Sequence, residues 1–346
     1  MLGIGIGWRP EIDLTVERLP GVDFVEVIAE RLHPPRLPES LRLLHARGVP
    51  VVPHGVGLGL GGAEPPGRDR LAHLAACAEM LGSPLVSEHV AVVRAAGVEA
   101  EHLLPVPRTR DCLEVLVANV RLAQAALPVP LALENVAALF GWPDDELTEG
   151  EFLAELVGRT GVRLLVDVAN LHTNRHNQAA DPLRTLAALP ADALAYVHVA
   201  GGYSRDGIWH DTHTRAPSEE IYRLLAELCA LARPPGVLLE WDGDYPRDQV
   251  LADTLARIRR VVEDGSAAHP RTLAPAPAPA PAPGPAGGLD AARTRLGDRY
   301  AGLLRALVLA APAPPGFDTA RLGVQAERLA ARRRHHHQDR RHDHDH

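Results

Sequence analysis

Lysine is missing altogether: every one of the 36 residues counted as Lys or Arg is arginine. Without lysine there is no Schiff-base amine, no phosphate-loop lysine and no attachment point for pyridoxal phosphate. Cysteine is scarce, with only Cys77, Cys112 and Cys229, far apart in helix-like segments. That excludes a disulfide framework and a thiolate metal site, and it reads as buried thiols in a reducing compartment. No apolar run reaches membrane-spanning length and no signal-peptide pattern is visible, so a cytoplasmic protein without membrane contact is expected. Positive charge is in short supply: the net charge is −8 and the pI is near 6.1. This argues against a dedicated nucleic-acid binder. No strand candidate leads into a GxGxxG turn, which makes a doubly wound dinucleotide-binding sheet the weaker of two α/β readings.

What is present is a large apolar fraction, 46% of 346 residues, enough for a substantial core. Residues 266–288 alternate Ala and Pro, which favours an extended polyproline II linker without a core of its own. The linker divides a first domain, residues 1–265, from helix-patterned residues 289–333 and a His/Asp/Arg-rich tail, 334–346, expected to be disordered. The first domain alternates strand candidates (3–8, 24–30, 49–56, 84–90, 130–136, 162–170, 194–202 and 236–244) with amphipathic stretches such as 67–81, 107–126, 148–160, 217–232 and 246–264. Eight β-then-α units of this size predict a closed parallel (β/α)8 TIM barrel, followed by the Pro/Ala-rich linker and a small helical C-terminal region.

Residues of metal-ligand type fall at the strand ends. His54 closes the third strand, His89 the fourth and Glu134 the fifth. Asp167 and then Asn170 close the sixth, His198 the seventh, and Glu240 lies near the end of the eighth; Asp211 and His213 follow in the loop after the seventh. In a barrel the C-terminal strand ends converge on one mouth, where active sites lie. Singly, each has an ordinary explanation: a hydrogen-bonded structural His, a helix-capping Glu, a turn Asp, a solvated loop. Together, converging carboxylates and imidazoles with no lysine nearby are electrostatically costly unless cations occupy the space between them. Imidazole and carboxylate without thiolate suit iron, zinc or manganese. There are more ligands than one ion needs, so Glu134, central in strand order, is expected to bridge two ions. Asp211 and His213, at i and i+2 of an extended segment, are expected to project to one side and hold a third.

The motifs "LENV" (133–136), "DVANLHTNRHNQAADP" (167–182), "YVHVAGG" (196–202), "DTHTRAP" (211–217) and "LLEWDGDYP" (238–246) together resemble the multinuclear non-heme iron-dependent oxidative enzymes, over residues 1–262. The resemblance implies a barrel of the xylose-isomerase-like superfamily holding two or three iron ions, with O2 as co-substrate. It implies modification of a ribosomally made precursor peptide, usually at cysteine, with the leader presented by a separate or fused partner. The implied iron ligands are His54, His89, Glu134, Asp167, Asn170, His198, Asp211, His213 and Glu240. His54, His89, Glu134, Asp167, His198 and Glu240 form the implied catalytic core. Related apurinic endonuclease barrels, which hold three zinc ions, carry His where this chain places Asn170. Asn is a weaker, neutral ligand, so the third site is looser unless His172 or His176 substitutes.

Around this set, Glu88 points away from His89 by strand alternation and either supports it or simply packs against a helix. Glu26 and Glu30 either line the mouth or pair with Arg, and Trp241, Asp242 and Asp244 sit at the rim. Asn135, Asn174 and Asn177 orient ligands or serve the loops, and His210 faces away by alternation. Residues 289–333 are either a tethered appendage or a docking module for peptide or partner. Three rival functions remain: a zinc-dependent apurinic-endonuclease-like phosphodiesterase, opposed by the net charge and Asn170; a sugar isomerase, opposed by the missing lysine; and a noncatalytic metal- or peptide-binding protein.

Overall fold

The computed structural model describes residues 1–267 and 287–342, so most of the expected Ala-Pro linker lies outside the described residues. Its strands are β1 (Gly3–Trp8), β2 (Phe24–Ile28), β3 (Val51–His54), β4 (Val86–His89), β5 (Ala91–Ala95), β6 (Val98–Pro105), β7 (Leu131–Glu134), β8 (Arg163–Asp167), β9 (Leu194–Val199), β10 (Gly201–Arg205), β11 (Ile208–Arg215) and β12 (Gly236–Leu239). The helices are α1 (Asp13–Arg18), α2 (Glu39–Ala46), α3 (Arg68–Leu81), α4 (Arg110–Ala126), α5 (Glu149–Thr160), α6 (Val168–Gln178), α7 (Pro182–Ala188), α8 (Glu219–Leu231), α9 (Asp248–Ala267), α10 (Gly288–Leu309) and α11 (Thr319–His342). Among the described residues no helix is long and apolar enough to cross a membrane.

Eight strands close into a parallel barrel in the order β1-β12-β9-β8-β7-β4-β3-β2. These are the eight strand candidates read from the sequence, the first unchanged and the other seven shortened at their ends. The remaining strands form two antiparallel hairpins, β5-β6 and β10-β11, both inserted after barrel strands.

Strand alternation places the site. Phe24, Val52, Ala132, Leu165, Tyr196 and Leu238 pack together as one buried cluster. Two residues further along the same strands or just beyond them stand Glu26, His54, Glu134, Asp167, His198 and Glu240, all buried. Successive side chains on a strand alternate faces, so a residue two positions on keeps the same face and moves toward the C-terminal mouth. The barrel interior is thus an apolar plug with a polar layer on top. At Gly5 an added Cβ would lie 2.5 Å from the Phe24 ring, so the glycine of β1 makes the room this plug needs.

Local signals set the helix starts. Thr148 and Glu151 form a reciprocal capping box on α5. Asp181 caps α7, with Pro182 in the first turn. Asp167 ends β8 and also caps α6, accepting from the backbone N–H groups of Ala169 and Asn170. The strand expected to run to residue 170 therefore stops at 167, because its last side chain starts a helix.

The C-terminal helices lie against the barrel. Leu296, Tyr300 and Leu303 of α10 and Leu322 and Leu329 of α11 belong to the same buried apolar cluster as the barrel helices. The Tyr300 hydroxyl donates to the Gly61 carbonyl at 2.8 Å, and its ring meets Trp142 edge-on at 5.7 Å. Arg295 makes two bonds to Asp111 on α4, at 2.6 and 2.9 Å. α11 continues past residue 333 to His342, into the segment expected to be a disordered tail. After Gly323 it meets no proline or glycine to stop it.

Candidate metal centre

Glu134 is the centre of the mouth. Its Oε2 lies 3.4 Å from His54 Nε2 and 3.2 Å from His89 Nε2, while its Oε1 lies 3.4 Å from His198 Nδ1. One carboxylate thus turns an oxygen toward each of two groups: His54–His89–Glu134, and Glu134–Asp167–His198–Glu240. In each group the ligand atoms lie within 4.8 Å of one another. Register helps: His89 pairs with Glu134, and Asp167 with His198, on neighbouring strands. A third group, His213–Glu240–Asp242, shares Glu240 with the second. His213 Nδ1 is 3.0 Å from Glu240 Oε2, and Nε2 is 3.1 Å from Asp211 Oδ2 and 4.0 Å from Asp167 Oδ2.

The imidazoles are oriented from behind. His54 Nδ1 meets Ser87 Oγ at 2.8 Å, His89 Nδ1 meets the Gly55 carbonyl at 3.1 Å, and His198 Nε2 meets Glu26 Oε2 at 2.8 Å. The acceptors behind His89 and His198, a carbonyl and a carboxylate, fix a ring proton on the outer nitrogen, so the nitrogen facing Glu134 is the one a cation can take in place of a proton. Ser87 can do the same for His54, because the Tyr196 hydroxyl lies 2.6 Å from Ser87 Oγ and 2.5 Å from Glu26 Oε2. Glu88, expected to point away from His89, instead reaches back to it, with Oε1 3.3 Å from His89 Nδ1.

Charge is not balanced by these contacts alone. Buried oxygens of Glu26, Glu134, Asp167 and Asp211 and the inner nitrogen of His198 have no hydrogen-bond partner. Burial pushes Asp167 up to about 8; His213 opposes the rise and Glu134 and Asp211 add to it. Burial also raises Glu134, but His198 and His89 outweigh it and hold the carboxyl below its usual range. Burial works against charge on His89, His198 and His213, yet the carboxylates hold all three well above the ordinary imidazole value. Protons on these imidazoles and on Asp167 offset the charge of the neighbouring carboxylates, and metal ions compete with protons for such donors. Arg9, buried, adds a fixed positive charge, 3.1 Å from Glu240 and 2.6 Å from Asp242.

All nine expected ligand residues reach this mouth, with differences in how they do so. Asp211 and His213 stand on β11 of a hairpin, not in an open loop. They share a side, but His213 does so with φ +53, a left-handed backbone uncommon outside glycine. The hairpin needs close backbone approach: a Cβ on Gly202 would lie 2.2 Å from the His210 carbonyl oxygen. The Asn170 amide donates to the Asn135 carbonyl at 2.8 Å and lies 3.4 Å from Glu134 Oε1. His172 and His176 do not substitute for it, because they converge on Glu220 instead. His210 faces away, as expected, stacked on Tyr203 with its Nδ1 2.7 Å from an Arg328 nitrogen of α11. Ser87, Tyr196 and Arg9 were not anticipated as parts of the site. The available signal was strand parity, since Ser87 and Tyr196 stand two residues before His89 and His198.

Residues 3–263 match the family described as "RiPP precursor modification enzyme MbnB/TglH/ChrH". The chain belongs to that family. Residues 297–343 match a second family, "SCO6045-like, C-terminal domain". A UPF0276 protein of Streptomyces avermitilis is 52% identical over 378 residues, covering 96% of this chain and 78% of its own length. One from Chromobacterium violaceum is 37% identical, covering 75% of this chain and 94% of its own. An L-ribulose 3-epimerase structure superposes with a TM-score of 0.52 at 16% identity, over 77% of this chain and 96% of its own. A D-tagatose 3-epimerase-like protein gives 0.51 at 16%, over 77% and 100%. At that identity the two structures bear on the fold alone, a TIM barrel.

Proposed function

We propose that the protein is a multinuclear non-heme iron oxidase that uses O2 to modify a ribosomally made precursor peptide, at cysteine. The observation that carries this reading is Glu134, one buried carboxylate facing two groups, with imidazole nitrogens turned inward around it. The unpartnered buried oxygens fit cations, and the donor set of imidazole and carboxylate fits iron. In this reading His54, His89 and Glu134 hold one ion, and Glu134, Asp167, His198 and Glu240 hold the second. Asp211 and His213, with Asn170 beside them, hold a third more loosely. Bound iron supplies the electron transfer to O2 and lowers the pKa of a substrate thiol.

The chain's own residues position and insulate. Ser87, Gly55 and Glu26 hold the ring orientations, Arg9 offsets the charge of Glu240 and Asp242, and the apolar layer beneath keeps water from the barrel interior. The barrel, 1–265, carries the chemistry, and residues 289–333 serve as the module that docks peptide or partner. The contact of Arg328 with His210 supports a place for that module beside the mouth. Cytoplasmic location agrees with three cysteines that are all free and buried.

The test is anaerobic purification, metal analysis, and co-expression with a cysteine-containing peptide encoded beside the gene. Iron at two or more equivalents, peptide-dependent O2 uptake and a peptide mass shift are expected. Stoichiometric zinc without iron and without O2 uptake overturns the reading, and cleavage of an abasic duplex by that protein establishes the phosphodiesterase instead.

A further inference from the structure

A separate cluster lies between α6 and α8. His172 and His176 stand one turn apart on α6, with ring centroids 4.4 Å apart. Glu220, in the first turn of α8, places Oε2 3.8 Å from His172 Nε2 and 3.7 Å from His176 Nε2. His172 is 0% exposed, and neither of its ring nitrogens has a hydrogen-bond partner. Buried polar groups are nearly always paired, because an unmet one costs about 1–3 kcal/mol. An imidazole with both nitrogens unmet, beside a second imidazole and a carboxylate, is the environment of a ligand awaiting its ion.

We propose that His172, His176 and Glu220 form a peripheral site for a divalent transition-metal ion of the zinc, cobalt or nickel type, distinct from the Glu134 centre. Two imidazoles at i and i+4 share a helix face, and a carboxylate from a second helix completes a three-ligand set open to solvent. Bonds of 2.0–2.1 Å in a tetrahedron put ligand atoms about 3.3 Å apart. The two His-to-Glu220 separations are thus about half an ångström from that arrangement, and all three ligand atoms lie within 4.8 Å of one another, within reach of the half-exposed His176 and Glu220 side chains. Absence of thiolate favours borderline ions over soft ones.

The ion would brace the mouth without touching it. Trp209 of β11 meets His172 edge-on at 4.5 Å and stacks over His176 at 5.4 Å. Asn177 of α6 bonds both the N–H and the carbonyl of Trp209, each at 3.0 Å. Thus the cluster ties together α6, which begins at Asp167, and β11, which carries Asp211 and His213.

The inference is independent of which metal fills the central site, and the test reads the two sites separately. Metal-stripped full-length protein is crystallised with Zn2+ and anomalous maps are taken at the zinc edge; Co2+ equivalents are titrated in parallel for wild type and His176→Gln, with Glu220→Gln as the second variant. An anomalous peak bonded to His172, His176 and Glu220 is expected, together with one fewer Co2+ equivalent in each variant. The His-rich tail, common to all the proteins, cancels in that difference. Co2+ should also quench tryptophan fluorescence less in His176→Gln and in Trp209→Phe than in wild type. Absence of a peak here, or equal Co2+ equivalents in wild type and both variants, overturns the proposal, whatever the Glu134 centre binds.

Discussion

Glu26 offers the sharpest test of the centre, because it touches no expected metal ligand except through the back of His198. Its Oε2 accepts from His198 Nε2 at 2.8 Å and from the Tyr196 hydroxyl at 2.5 Å, and the residue is fully buried. Glu26→Gln keeps the shape and an acceptor oxygen but removes the charge. A hydrogen bond to a charged group contributes about 1.5–3 kcal/mol and a neutral one about 0.5–1.5, so each of the two bonds loses about 1 kcal/mol. At about 1.4 kcal/mol per tenfold, a total near 2 kcal/mol weakens metal binding at His198 roughly 30-fold, inside the 10–100-fold typical of groups that orient a ligand. Burial disfavours charge on His198 and Glu26 is the main group opposing it, so the imidazole pKa should also fall. The assay is Co2+ competition against a chelator at fixed pH. Tyr196→Phe serves as the partner in a double-mutant cycle, and because the two side chains share one oxygen the effects should be less than additive. Affinity within twofold of wild type for Glu26→Gln would refute the view that the outer hydrogen bonds set the centre.

Four other outcomes follow from the same geometry. Glu134→Gln removes the charge shared by two groups and should lose at least one metal equivalent and over 100-fold in peptide turnover, read by metal analysis and mass spectrometry. Metal dependence should rise with pH. The folded-state pKa values of His89, His198 and His213 are raised, so their contribution to metal-free stability is present below about 6.5 and is lost as pH climbs through the higher folded values. Asp167, raised to about 8, acts in the same direction, and the gap in Tm between loaded and metal-free protein should widen from pH 6 to pH 9. Burial pushes Cys77 up to about 11 and Cys112 and Cys229 up to about 12, so native protein at pH 8 should resist a thiol-specific disulfide reagent until unfolded. Tyr300→Ala should cost about 3–5 kcal/mol in a denaturant melt if α10 unfolds with the barrel; a loss under 1 kcal/mol would separate the two.

The barrel was legible because its strands alternate with helices at regular length and because each carries a polar residue at the end of an apolar run. His54, Glu134, Asp167, His198 and Glu240 stand out for that reason. α6 was harder to see. His172, Thr173, Asn174 and Asn177 are all buried, so the helix has no apolar stripe to give it a 3.6-residue period. Both hairpins escaped notice too: β10-β11 reads as a polar, glycine-containing loop, and β5-β6, which opens on the short apolar run of β5, follows directly on β4. The supporting residues were hidden differently. Ser87 and Tyr196 are ordinary residues until the barrel closes, and only closure sets Glu26, already read as a mouth or Arg-pairing residue, behind His198 Nε2.

Residues 209–214 carry this furthest. Alternation along an extended segment correctly separates His210, which turns to Tyr203 and Arg328, from Asp211 and His213, which turn to the centre. Yet a regular strand does not deliver His213: it reaches Glu240 at 3.0 Å with a left-handed backbone that departs from the strand pattern. Conformations of this kind cost of order 1–3 kcal/mol and persist where surrounding structure over-determines them. Here Asp242 N–H binds the His213 carbonyl at 2.7 Å, and Asn177 grips the backbone of Trp209 from α6. The side chain that the sequence makes most conspicuous is therefore held in place by residues outside its own segment. The placement of its imidazole depends on α6 and on the stretch after β12 as much as on the six residues that announce it.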